Sequence, residues 1–168
     1  ADFNSILLIK KSNNINQYQK FIFQNCNLPG INCESDTTLE LIDTFQREEK
    51  EPIFLKIAEG SLSIENENSH SSIYIQFDTL NLLSIKGLYK TINVGPLART
   101  GNSKVKQFVA DNMFESLQCD RVEVTQNAKL NLYPSSPSMR GITFEKCIKI
   151  NLHLTLQSST WLKFADCS

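Results

Sequence analysis

The sequence predicts an all-β chain that coils into a parallel β-helix from residue 52 onward, behind a partly helical segment at residues 1–51. Three observations predict it. Apolar residues alternate with polar ones in many short runs. Two Phe- and Cys-bearing stretches resemble each other at roughly the 20- to 30-residue spacing of a solenoid. No segment between the runs is long and apolar enough to be a crossover helix.

In the first segment, Thr37 and Glu40 have capping-box spacing, and Leu39, Ile42 and Phe45 fall on one helical face. The charged run from Gln46 to Glu51, followed by Pro52, reads as the end of that helix, giving a helix over 37–49. Upstream, Ile15, Tyr18, Phe21 and Ile22 suit a second helix, although Phe21, Ile22 and Phe23 suit a strand equally. Leu28, Pro29 and Gly30 form a turn.

From Pro52 the strand pairs follow in order: Leu62 and Ile64, then Ile73, Ile75 and Phe77, then Ile92 and Val94. Val122 and Val124, Leu130 and Leu132, and the run from Ile148 to Leu156 continue them. Alternation turns these inward and Glu123, Lys129, Asn131, Lys149 and Asn151 outward. Phe114 to Cys119 precedes one strand pair as Phe144 to Cys147 precedes the next. This similarity places Cys119 and Cys147 at related positions on adjacent coils. An antiparallel sandwich or barrel is the competing architecture, but its Asn-Gly or Asp-Gly hairpin turns are absent from the sequence.

The bulk properties narrow the function. At 168 residues, 40% hydrophobic and 21% charged, the chain suits one globular domain, not disorder. A net charge of −1 argues against bulk attraction to nucleic acid or acidic lipid. The aliphatic cluster from Ile6 to Ile9 is too short for a membrane span or a secretory signal. The five cysteines, at 26, 33, 119, 147 and 167, lack paired metal-ligand spacing and leave at least one unpaired. Reduced cytosolic thiols are expected, and the lack of an Asn-x-Ser/Thr sequon fits the same compartment. His70 and His153 are not at ligand spacing, so no metal site is expected. Without a Walker loop or Gly-x-Ser-x-Gly, the chain is not expected to bind nucleotide alone or to be a serine hydrolase, and no cofactor is implied. Lys86, Lys90, Arg99, Lys104 and Lys106 make a locally basic stretch, which reads first as a solvated face and second as a contact for an acidic patch on a partner.

Four features then carry a resemblance over Leu83 to Trp161. Leu83 to Leu88 looks like a coil ending in a glycine turn, and Ile92 to Leu97 contains a Gly-Pro-aliphatic step. Gln118, Cys119, Asp120 and Arg121 are similar to a Gln-Gln-x-Arg motif, and Phe144 to Cys147 to an aliphatic-Glu-x-Cys coil. In order and spacing, these resemble the GTPase-activating β-helix domain of the tubulin-folding cofactor C family. The chain departs from that pattern at Cys119, at Asp120 and in the loop Pro134 to Arg140. The resemblance implies a right-handed parallel β-helix, an architecture that the actin-binding domain of the cyclase-associated protein also resembles.

It further implies a cytoplasmic, cytoskeleton-associated activator of a GTP-bound Arf-like small GTPase, working with tubulin and other tubulin-folding cofactors. Arg121 would be the catalytic arginine, and Gln118 and Glu145 would contact the partner. GTP hydrolysis spreads negative charge over the transferring phosphoryl group, and a guanidinium donated in trans stabilises it. With Val122 and Val124 inward, Arg121 and Glu123 are expected outward on the same strand. The plainer reading of Arg121 is a surface arginine paired with Glu123 or Glu115, and Asp120 is placed to hold it in an intramolecular pair. Two other classes remain: a non-catalytic binding module for actin or tubulin, and a carbohydrate-cleaving β-helix enzyme. The latter needs clustered acidic residues, and none stands out in the sequence.

Overall fold

Alternating apolar residues can be buried on one side only if strands stack their inward rows, and this chain stacks them coil upon coil. The computed structural model describes residues 5–10, 19–44, 52–67, 72–98, 100–134, 141–145, 152–156 and 162–167. Among these are β1 (Leu7–Ile9), β2 (Gln19–Gln24), β3 (Gly30–Ile42), β4 (Ile53–Asn66), β5 (Ile73–Leu88) and β6 (Thr91–Gly95). They are followed by β7 (Ser103–Phe114), β8 (Ser116–Asp120), β9 (Val122–Pro134), β10 (Gly141–Glu145), β11 (Leu152–Leu156) and β12 (Leu162–Ala165). The strand pairs are parallel, and they build a β-solenoid of about five turns.

One side of the solenoid runs β1-β3-β4-β5-β6-β8-β10-β12. Another runs through β2, β3, β4, β5, β7, β9 and β11. The long strands β3, β4 and β5 belong to both, bending where the register shifts, as at Cys33/Asp36 and Gly60/Ser61. The core is a set of inward ladders. Ile31, Leu55, Ile75, Val94, Cys119 and Phe144 are successive register partners, and all are buried. On the other side Leu39, Leu62, Leu83, Phe108 and Ala128 do the same, the small Ala128 compensating for the large Phe108. Each large side chain so buried contributes about 1.5–3 kcal/mol.

Several buried hydroxyls find partners on their own or a neighbouring coil. The Ser103 hydroxyl donates to the Phe77 carbonyl at 2.8 Å, and the Ser35 and Thr37 hydroxyls meet at 2.7 Å. Tyr89 plugs the turn between β5 and β6, its hydroxyl donating to the Lys86 carbonyl at 2.9 Å. Burial, with the negative charges of Asp43 and Glu65 beside it, pushes the Tyr89 pKa far above its ordinary value and keeps the phenol neutral. Gly60 and Gly87 have φ near 125° and 120°, and a Cβ at either would run into the carbonyls of Thr37 and Asn66 on the preceding coil.

The N-terminal segment differs from the sequence reading. No helix forms over the described part of 37–49: Thr37 to Ile42 are the end of β3, and Thr37 is wholly buried beside Ser35 instead of capping a helix. Leu39 and Leu41 alternate inward and stack on Leu62 and Ile64, so period-two burial overrides the helical spacing. Likewise Phe21, Ile22 and Phe23 lie in strand β2, not in a helix. Residues 11–18 and 45–50 lie outside the described residues. The repeat was also misaligned: Cys119 pairs in register with Phe144, and Cys147 lies outside the described residues, as do Ile148 and Ile150. Val122 and Val124 are buried as alternation requires.

These ladders make a stability prediction. Leu83→Ala should cost about 2–5 kcal/mol by opening a cavity between Leu62 and Phe108. Gly60→Ala should cost about 1–3 kcal/mol through backbone strain, although it removes no contact. Urea unfolding of both variants checks this, and an unchanged midpoint for Gly60→Ala would contradict the close approach to Thr37.

Candidate functional site

The candidate site lies on the outer surface of the β4-β5-β6-β8-β10 side. In β8, Leu117 and Cys119 turn inward, which leaves Gln118 exposed and Asp120 half-buried on the outside. Arg121 then breaks the strand. Its φ is 50°, so it is a left-handed corner between β8 and β9, not an outward residue on a flat strand as alternation suggested. The other non-glycine residues with positive φ among the described residues are Asn25, Asp43 and Asp166, types that tolerate this conformation. An arginine there is the exception. The neighbouring coils hold it in place. Its amide donates to the Glu145 carbonyl at 2.8 Å, and its carbonyl accepts from the Ser103 amide at 2.9 Å.

The guanidinium is also held. Arg121 Nε donates to Asp120 Oδ2 at 3.2 Å, with the two side chains 24% and 46% exposed. At that exposure the pair is worth about 0.2–1 kcal/mol. Glu145 is the register partner of Asp120 on the next coil, so the two acidic residues stand on adjacent rungs of the outer face. Gln118 is flanked in register by Asn93 on one coil and Thr143 on the other.

Gln118, Arg121 and Glu145, singled out from the sequence, line one groove of about 330 Å³ together with Asp120. Ile75 and Val94 also line it, as do Tyr74, Gln76, Asn93, Gly95 and Pro96. Sequence reasoning gives none of these last five a site role, although Gly95 and Pro96 form the Gly-Pro-aliphatic step. The alternation that buries Ile73, Ile75, Ile92 and Val94 does turn Tyr74, Gln76 and Asn93 outward. Bringing them beside Gln118 required the coil register as well.

No protein-family model, curated protein or solved structure matches the chain. The site is therefore argued on its own chemistry. It offers one guanidinium donor, two carboxylate acceptors and three amides that both donate and accept. No group of three or more metal-ligating side chains occurs among the described residues. The cysteines at 26, 33, 119 and 167 are free thiols, and Cys119 faces the core, away from the groove. The basic stretch of the sequence does not gather into this site. Lys86 lies opposite Asp111 in β7, Lys104 opposite Glu123 in β9, and Arg99 is outside the described residues.

The corner geometry yields a direct test. Arg121→Gly should match or exceed the parent in stability, because glycine relieves about 1 kcal/mol of left-handed strain. Arg121→Val should be clearly less stable, since a β-branched residue is worse still at positive φ. Thermal melts of the two variants check the order, and the reverse order would contradict a left-handed corner.

Proposed function

We propose that the chain is a β-solenoid recognition module that presents Arg121 to anionic groups of a partner protein. The reading takes the coil as right-handed, the usual sense for parallel crossovers. The observation that carries it is the convergence of Gln118 and Arg121, at the end of one strand, with Glu145 of the next coil on one outer groove. In its sharpest form, which the resemblance to the cofactor C family supports, the partner is a GTP-bound Arf-like small GTPase in tubulin folding. Arg121 then stabilises charge on the transferring phosphoryl group, while Gln118 and Glu145 contact the GTPase. A corner fixed by backbone bonds on both sides is a suitable mount, since the side chain starts from a point that cannot drift.

The second reading is a non-catalytic module that binds actin or tubulin. The ion pair to Asp120 favours it, because it already engages one edge of the guanidinium. In the first reading Asp120 is released when phosphate oxygens, which accept a bidentate fork, replace its carboxylate.

Phosphate release by a purified, GTP-loaded Arf-like GTPase, measured with and without this chain, separates the two. Stimulation is expected, and Arg121→Ala should remove about three to five orders of magnitude of rate where the arginine acts fully. Binding to the GTP-bound partner should weaken only modestly, because the lost interaction belongs to the transition state. Arg121→Lys should rescue poorly, and Gln118→Ala should have a smaller, mixed effect on binding and rate. Equal stimulation by Arg121→Ala would remove the arginine-donor role. Co-sedimentation with actin or tubulin but no stimulation would favour the binding module.

A further inference from the structure

The outer surface beside Arg121 carries two ladders, and one coil interrupts both. Along the first, Phe54, Tyr74, Asn93 and Gln118 are successive register partners. Along the second, Lys56, Gln76 and Gly95 follow one another, and Asp120 is the nearest side chain beyond Gly95. The rings of Phe54 and Tyr74 stack at 5.2 Å with planes 16° apart, and they stay 40% and 39% exposed. The stack stops there, because β6 offers only the short Asn93 and a bare glycine. Two rung spacings separate Tyr74 from Gln118, about 10 Å in all. That leaves room for one ring at contact distance from the free face of Tyr74 and within hydrogen-bond reach of Gln118.

We infer that this notch binds one ring of a neutral oligosaccharide, stacked on Tyr74 as the next rung of the aromatic ladder. A sugar ring has an apolar face for the tyrosine and hydroxyls around its rim. Each hydroxyl both donates and accepts, so it matches the amides of Gln76, Asn93 and Gln118, the carboxylates of Asp120 and Glu145, and the guanidinium alike. Charge decides against the other flat ligand class. A free nucleotide stacked at this rung would place its phosphate beside the carboxylates of Asp120 and Glu145 as well as beside Arg121, a like-charge cost that a neutral ring does not meet. The inference goes beyond the arginine-donor reading and does not rest on it: sugar binding is its readout, with no GTPase present.

Gly95 supplies the decisive variant. It has no positive φ, and a Cβ built there meets Asp120 no closer than 3.5 Å, so Gly95→Gln can keep the fold while filling the notch. Cellohexaose, chitohexaose, maltohexaose and guanosine monophosphate are titrated calorimetrically into the parent chain, Gly95→Gln and Tyr74→Ala. At least one hexaose should bind the parent saturably. Both variants should weaken it about tenfold or more, equivalent to about 1.4 kcal/mol, with the Gly95→Gln melting temperature unchanged. Binding of none of the three hexaoses would overturn the inference. So would binding of the nucleotide in their place, or parent-like hexaose affinity in Gly95→Gln or Tyr74→Ala.

Discussion

The parallel register between successive coils is the constraint on which everything else here depends. Each coil gives its backbone hydrogen bonds to the coils before and after it, so every inward residue has two neighbours fixed by the ladder. Slipping one coil by one residue would turn its apolar row outward and drive its polar row into the core. The structure tolerates departures only at corners. There Gly60 lets the chain pass against the Thr37 carbonyl, and a register shift follows at once between Gly60 and Ser61. The same register carries the site. The outward residues of neighbouring coils are brought together by the ladder, whatever their distance in sequence.

How far the sequence could be read follows from this. Strands from residue 52 onward were legible because pairs such as Ile73 and Ile75, or Ile92 and Val94, alternate without a competing period. The segment from Thr37 to Ile42 was not, because Leu39 and Ile42 suit a helix while Thr37, Leu39 and Leu41 suit a strand. A segment that short takes whichever form its neighbours can bury, and Leu62 and Ile64 on β4 decide for the strand. The likeness of Phe114–Cys119 to Phe144–Cys147 misled for a related reason. An inward ladder asks only for an apolar side chain, so Cys119 stacks on Phe144 with no regard for motif. At the site, alternation turned Gln118 outward from sequence. Its meeting with Asn93 and Tyr74 depended on coil lengths, which vary and which only the stacked register reveals.

The groove shows how a solenoid separates stability from recognition. Ile92 and Val94 hold β6 in the core as firmly as any other strand, so the outward positions between and after them are released from packing. Asn93 and Gly95 at those positions leave a depression on the outer surface. The exposed Phe54–Tyr74 stack on the preceding coils then becomes an end wall instead of a continuous ridge. A single coil with small outward residues is enough to create a site.

Arg121 shows the opposite economy, in which local comfort gives way to position. Asparagine or aspartate fills the other non-glycine left-handed positions among the described residues, and either would fit this one with less strain. The corner survives because its amide and carbonyl are bonded to Glu145 and Ser103, which over-determine the backbone. What the arginine brings, and asparagine would not, is a cation of long reach launched from a fixed point. The Asp120 contact does not cancel that advantage. A half-exposed pair of this kind is worth about 1 kcal/mol at most. Three to five decades of rate correspond to roughly 4–7 kcal/mol of transition-state stabilisation. Phosphate oxygens developing charge would therefore outcompete the Asp120 carboxylate, while a ligand without charge would leave the pair intact.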